Sequence, residues 1–182
     1  MSRIGRHPIT IPANTQVEFK DGNVVLVKGQ LGQLERKFNK EISFEKDGDT
    51  IKVIRCDDSK EARALHGLSR TLLNNMIEGV THGFTKKLIV NGVGFKAQKQ
   101  GNKLVLELGF SKPKEVLDAD GVTTSCPSIT EVEVKGIDKE KVGQFAAKIR
   151  DIKRVEPYHL YGIRYVDEVV IKKEGSKTAG KK

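Results

Sequence analysis

The 182-residue sequence has only two cysteines, Cys56 and Cys126, and four histidines, His7, His66, His82 and His159. The cysteines form no C-x-x-C pair, and no histidine lies three or four residues from another histidine or a cysteine, so the spacing of a zinc site is missing. Two free, buried thiols are the simplest reading, although spacing alone leaves a disulfide open. No apolar run approaches the roughly 20 residues that span a bilayer. Met1–Thr10 carries Arg3 and Arg6 with no apolar block behind them, so a secretory signal is not expected either. There is no G-x-S-x-G elbow and no P-loop. These absences point to a cytoplasmic chain with no membrane partner, no catalytic activity, no cofactor and no small-molecule substrate.

What the sequence does have is positive charge, unevenly placed. The formal net charge is +9. Residues 1–79 hold 13 Lys and Arg against 11 acids, and the remainder holds 20 against 13, so the C-terminal half carries most of the excess. A basic surface of this kind attracts an anionic partner at long range. The apolar share of 37% and charged share of 31% suit a globular chain of one ordinary domain or two small ones.

The residue pattern favours two. Val24–Val27, a Gly29–Gly32 turn and Leu34–Phe38 read as a hairpin, and Ile51–Val53 after Asp47-Gly48-Asp49 reads as a further strand. From Ser59 the period becomes helical, with Ala62, Leu65, Leu68 or Ser69, Leu72 and Met76 along one face. Asp58 and Glu61 have capping-box spacing, and Gly79 is a candidate stop. The same order returns about 80 residues later: Gly22-Asn23 answers Gly101-Asn102, Ala62 answers Val142, and Leu65 answers Phe145. The second helix is expected to start at an Asp138 cap, stapled by Ile137 and Val142, and to bury Val142, Phe145, Ala146 and Ile149. Lys141, Lys148, Arg150, Lys153 and Arg154 are then left for solvent or a partner. The expected fold is α+β: two tandem duplicated domains, residues 1–82 and 83–171, each an antiparallel sheet packed with one main helix, followed by a basic tail over 172–182.

Gly92-Val93-Gly94-Phe95-Lys96-Ala97 matches G-x-G-x-x-A, which on a strand-to-helix turn cradles a pyrophosphate. Here Phe95, Ala97 and Lys103–Leu108 keep a strand pattern around Gly101-Asn102, so a bulged or closely packed strand is the better reading. The informative stretch is Lys153–Tyr165, which contains all three tyrosines among cations. Cations answer phosphates and aromatic rings stack on unpaired bases, so the mixture suits irregular RNA. A last strand is expected over Val166–Ile171, followed by lysines from Lys172 onward. The basic arm Ser2–Pro8 reads most simply as a mobile terminus. The RNA-binding candidates are Lys153, Arg154, Arg164, Lys172, Lys173 and Lys177 for phosphates, with Tyr158 and Tyr161 for stacking or shape.

Several segments resemble the bacterial-type sixth protein of the large ribosomal subunit, the L-six family, along essentially the whole chain. They are Met1–Gly5, Arg63-Ala64-Leu65-His66-Gly67, Leu72–Met76, Gly92–Phe95, Val134–Lys139, Glu156-Pro157-Tyr158 and Gly162–Tyr165. The resemblance implies two duplicated domains and a structural role in the large subunit, supporting its assembly and translation. It implies as partners large-subunit ribosomal RNA near the sarcin-ricin loop, neighbouring ribosomal proteins, and proximity to the factor-binding region. It also implies that the second domain and tail make most RNA contacts. One departure stands out: between Tyr158 and Gly162 the family usually carries lysine, a small residue and lysine, where this chain has His159, Leu160 and Tyr161. Two alternatives remain: a protein-interaction module that attracts an acidic protein, and a nucleotide-dependent enzyme using Gly92 and Gly94.

Overall fold

The computed structural model describes residues 3–175. Backbone proximity divides the chain into two units that change over between Phe84 and Thr85, with the short piece Ile137–Lys139 grouped with the first. The first unit runs α1 (Arg3–Arg6), β1 (Ile9–Thr10), β2 (Gln16–Lys20), β3 (Val24–Gly29), β4 (Gly32–Lys37), β5 (Ile42–Asp47), β6 (Thr50–Arg55) and α2 (Lys60–Thr81). Its antiparallel strands form two small sheets, ordered β1-β6-β5 and β2-β3-β4. Val25 and Val27 of β3, Ile42 of β5 and Ile51 of β6 meet Leu73, Met76, Ile77 and Val80 of α2 in one core.

The cap of α2 lies one residue later than the sequence suggests. Ser59 Oγ accepts the Ala62 N–H at 3.0 Å, and Asp57 Oδ1 accepts the Ser59 N–H at 3.1 Å. Asp58 instead turns back to Arg55 in an ion pair. At the other end Gly79 stays helical; the His82 and Gly83 amides close the last turn on Glu78 and Gly79, and the left-handed stop falls on Gly83.

The buried stripe of α2 is Ala62, His66, Ser69, Leu73, Met76, Ile77 and Val80. Leu65 and Leu72 only flank the core and Leu68 is exposed, so the helix is rotated by about one residue from the apolar pattern. His66 sits inside because its Nε2 hydrogen-bonds the Val53 carbonyl of β6 at 2.9 Å, which offsets the cost of burying that nitrogen. Gly5 of the basic arm lies against the His66 ring, and Arg70 Nε donates to the His7 carbonyl at 3.3 Å. Over its described residues the arm is therefore docked, contrary to the expectation of a mobile end.

The second unit runs β7 (Phe84–Asn91), β8 (Lys96–Gln100), β9 (Lys103–Glu107), β10 (Lys114–Leu117), β11 (Val122–Ser128), β12 (Glu131–Gly136), α3 (Lys139–Ile152) and β13 (Gly162–Tyr165). Its sheets are ordered β11-β12-β7-β13 and β10-β9-β8. The duplication is explicit: β7-β12-β11 repeats β1-β6-β5, β8-β9-β10 repeats β2-β3-β4, and each main helix follows the last strand of the repeat. The helix α3 buries Val142, Phe145, Ala146 and Ile149, the stripe read from the sequence.

Two expectations change here, the last strand and the burial of the cysteines, while the Gly92–Ala97 stretch behaves as the sequence suggests. The last strand is Gly162–Tyr165 and not Val166–Ile171, because β13 already fills the edge beside β7, with Gly162 opposite Asn91 and Tyr165 opposite Leu88. Past that edge the chain bends away, leaving Val169 90% and Ile171 79% exposed. The Gly92–Ala97 stretch opens no helix; it joins β7 to β8, and a side chain at Gly92 would strike the Phe95 ring. Both cysteines are free, but Cys56 is exposed and Cys126 only partly buried. No helix among the described residues is long and apolar enough to cross a membrane.

The placement of α2 makes a stability prediction. Truncating the fully buried Leu73 to alanine should lower unfolding stability by about 3 kcal/mol. Leu68→Ala, on the exposed face, should change it by less than about 0.5 kcal/mol. Urea denaturation midpoints of the two variants distinguish this register of α2 from one that buries Leu68.

Candidate nucleic-acid interface

With one face of α3 committed to the core, the chain leaves the helix at Lys153 and makes a loop before returning as β13. Two backbone hydrogen bonds close that loop: Ile163 N–H to the Lys153 carbonyl at 2.8 Å and Glu156 N–H to the Tyr161 carbonyl at 3.1 Å. Gly162 at the return has φ 138°, and a Cβ there would lie 2.6 Å from the Arg154 carbonyl oxygen, so the closure requires glycine. Leu160 holds a left-handed φ of 63°, unusual for a branched side chain and costing about 1 kcal/mol. Its carbonyl is fixed by Asn91 Nδ2 at 2.8 Å.

Lys153, expected among the phosphate contacts, is turned inward. Its ammonium donates to the Leu108 carbonyl at 2.6 Å and lies 4.4 Å from the Phe95 ring centroid and 5.1 Å from that of Phe110. A cation satisfied by a carbonyl and two rings is poorly placed to meet a phosphate as well. Arg154, by contrast, has its side chain 66% exposed, steadied by Asp151 at 2.7 Å. That hydrogen bond also holds the Asp151 carboxyl below its ordinary pKa.

Tyr158 and His159 face the returning tail across an open groove of about 590 Å³, with Lys172, Lys173, Glu174 and Gly175 on its other wall. The groove is held together by the Lys173 N–H donating to the Pro157 carbonyl at 2.9 Å. Tyr161 lies beside His159, near-parallel to it with ring centroids 5.6 Å apart, and 6.4 Å from the Phe95 ring. The structure thus gathers Arg154, Tyr158, Tyr161, Lys172 and Lys173 around one loop. Lys177 lies outside the described residues.

Arg164 and Arg150 belong to the support. Arg164 Nη1 donates to the Glu168 carbonyl at 3.1 Å. Arg150 takes both carboxylate oxygens of Glu168, the longer contact being 2.9 Å, and stacks its guanidinium over Tyr165 at 5.6 Å. Glu168 also accepts the Tyr165 N–H at 3.1 Å. The Arg150 guanidinium, helped by that amide, holds the Glu168 carboxyl below the usual glutamate value against the opposing effect of burial. The residue overlooked in the sequence is His159, which completes the groove and the ring pair; its only signal was the unusual Tyr158–Gly162 stretch. Lys141 and Lys148 of α3 line a second shallow groove beside Phe145.

The Arg150–Glu168 pair carries a pH signature. A carboxyl whose folded pKa is depressed stabilises the fold fully above its unfolded value, about 4.3, and loses that contribution as pH falls through the lower folded value. Glu168→Gln should cost about 1 kcal/mol at neutral pH and leave a flatter acid limb, because the variant has no carboxylate to titrate. Unfolding free energies measured from pH 7 down to about 3 test both parts.

Comparison with known proteins bears on the same two units. The family model described as Ribosomal protein L6 matches residues 11–83 and again residues 91–166. Curated relatives named large ribosomal subunit protein uL6 are similar from end to end. Those from Clostridioides difficile (strain 630) and Dictyoglomus thermophilum are each 53% identical over 182 residues, covering all of both chains. That from Moorella thermoacetica is 51% identical over 181 residues, covering 100% of this chain and 98% of its own. One family match on each of two units with a common strand order, together with relatives alike over their whole length, places the chain in the ribosomal protein L6 family.

Proposed function

We propose that this chain is a structural constituent of the large ribosomal subunit, binding large-subunit ribosomal RNA through the loop and tail of its second unit. It makes or breaks no bond; it braces folded RNA during assembly and translation in the cytoplasmic ribosome. The observation that carries this reading is the gathering of Arg154, Lys172 and Lys173 with Tyr158 and Tyr161 around one rigid loop, on the unit that holds most of the excess positive charge. Lysine and arginine heads there neutralise phosphates, and rings meet bases or sugars. Arg164 adds charge behind the loop, Lys177 follows Lys173 in the chain, and Lys153 acts as a positioning residue that holds the loop for the others.

We infer the finer placement from the family resemblance: RNA near the sarcin-ricin loop and the factor-binding region, with the first unit packed on neighbouring RNA or protein. The glycine-rich stretch offers nothing to a nucleotide, since it joins two strands and Phe95 fills the space over Gly92. The protein-interaction alternative shares the attraction to negative charge but gives no role to exposed rings beside cations.

Charge reversal is the direct test. Arg154→Glu, Lys172→Glu and Lys173→Glu combined should weaken binding to protein-free large-subunit RNA and reduce the slope of log K against log salt by about 2, as three phosphate contacts are lost. Lys153→Met should instead lower thermal stability with a smaller change in slope. Capture of an acidic protein in preference to RNA after nuclease treatment would favour the alternative.

A further inference from the structure

Most of the ring surface of His159 and much of that of Tyr161 is open, yet each ring has a neighbour that orients it. The His159 side chain is 70% exposed and Tyr161 is 38% exposed, and their planes lie within 23° of each other. Behind Tyr161 stands Phe95, and behind Phe95 the Lys153 ammonium, so the outer pair ends a packed series of rings and charge. His159 Nδ1 meets Glu156 Oε1 at 3.1 Å, which sets the direction of its ring. Between them Leu160 is held in its left-handed conformation by Asn91, a strained backbone position of the sort that persists where the surrounding structure enforces it. Such a pair contributes little to the core, because so much of it is wet.

We propose that His159 and Tyr161 form a stacking platform for one unpaired base of the bound RNA. The proposal rests on the RNA-binding reading above and adds the mode of contact. Flat rings accept any base by its π-face, and rings already oriented by their neighbours lose less freedom on binding. Arg154, exposed in the loop, and Lys172 and Lys173, which line the groove with Tyr158 and His159, supply the charges that hold the flanking phosphates. An acidic peptide would use these cations but not the stacked rings, so the surroundings favour an unpaired nucleotide. Two neighbouring positions of the loop thereby recognise a base where a pair of cations would only hold a backbone.

The test separates stacking from charge. Full-length His159→Ala and Tyr161→Ala should each bind protein-free large-subunit RNA about tenfold more weakly, with the salt slope unchanged, since losing a stacked base removes no phosphate contact. Tyr161→Phe should bind like the parent chain. His159 is so exposed that its truncation leaves folding intact, which keeps the test valid should Tyr161→Ala unfold. The chain has no tryptophan, so Tyr161→Trp places a single reporter on the platform, and its emission should be quenched when the RNA binds. Unchanged affinity in both alanine variants, a flattened salt slope, or an unquenched Trp reporter overturns the platform while leaving RNA binding in place. Failure of the parent chain to prefer large-subunit RNA overturns the reading on which it rests.

Discussion

The shape of the loop between α3 and β13 depends on one half-buried lysine. Lys153 ends α3, and its ammonium ties that end to the Leu108 carbonyl and to the rings of Phe95 and Phe110. Its carbonyl meanwhile accepts the amide of Ile163, the second residue of the returning strand. A charged hydrogen bond of this kind contributes about 1.5 to 3 kcal/mol, and each cation–ring contact about 1 kcal/mol. Four segments distant in sequence are thus set against one another by a single side chain and its backbone. The cations and rings beyond it inherit their positions from that junction.

The duplicated fold explains why only one copy carries the loop. Both units use the same strand order and the same helix placement, so both solve the core in the same way. In the first unit β1 is a two-residue edge strand. In the second, the equivalent β7 is eight residues long, and its edge is covered by β13. Covering that edge satisfies backbone groups that would otherwise be open to pairing. It also requires the chain to travel from the end of α3 back to the edge of β7, and the loop is that connection. The loop is thus an extension that completes the sheet.

How much of this was legible depended on whether one residue type could answer the question alone. The stripe of α3 was readable because all four of its buried residues are apolar at helical spacing. In α2 the stripe includes His66 and Ser69, which the core accepts for reasons of hydrogen bonding and size, so apolar residues at the flank pulled the reading aside by one position. Val166–Ile171 has strand composition, yet the edge of β7 is already taken by β13 and the segment forms no strand, which its local sequence does not show. The candidate site was legible as a region, from its tyrosines and cations. Which cations face out was not, since composition gives charge without direction: Lys153 is inside and Arg154, its neighbour, outside.

That distinction extends to the paired arginines, where burial decides which can leave its carboxylate for another anion. Arg150 and Glu168 are each about three-quarters shielded, at 28% and 24% side-chain exposure, and their two-point contact is reinforced by the Tyr165 ring and amide. Releasing Arg150 to a phosphate would strand a carboxylate in a place where water reaches it poorly, so the pair stays closed. Arg154 and Asp151 are both largely in solvent, where an ion pair gains little over hydration. Arg154 can exchange Asp151 for a phosphate oxygen at almost no loss, because the abandoned carboxylate is simply rehydrated. The net charge draws the partner in, but the arginine that can change partners is the one whose present partner is already wet.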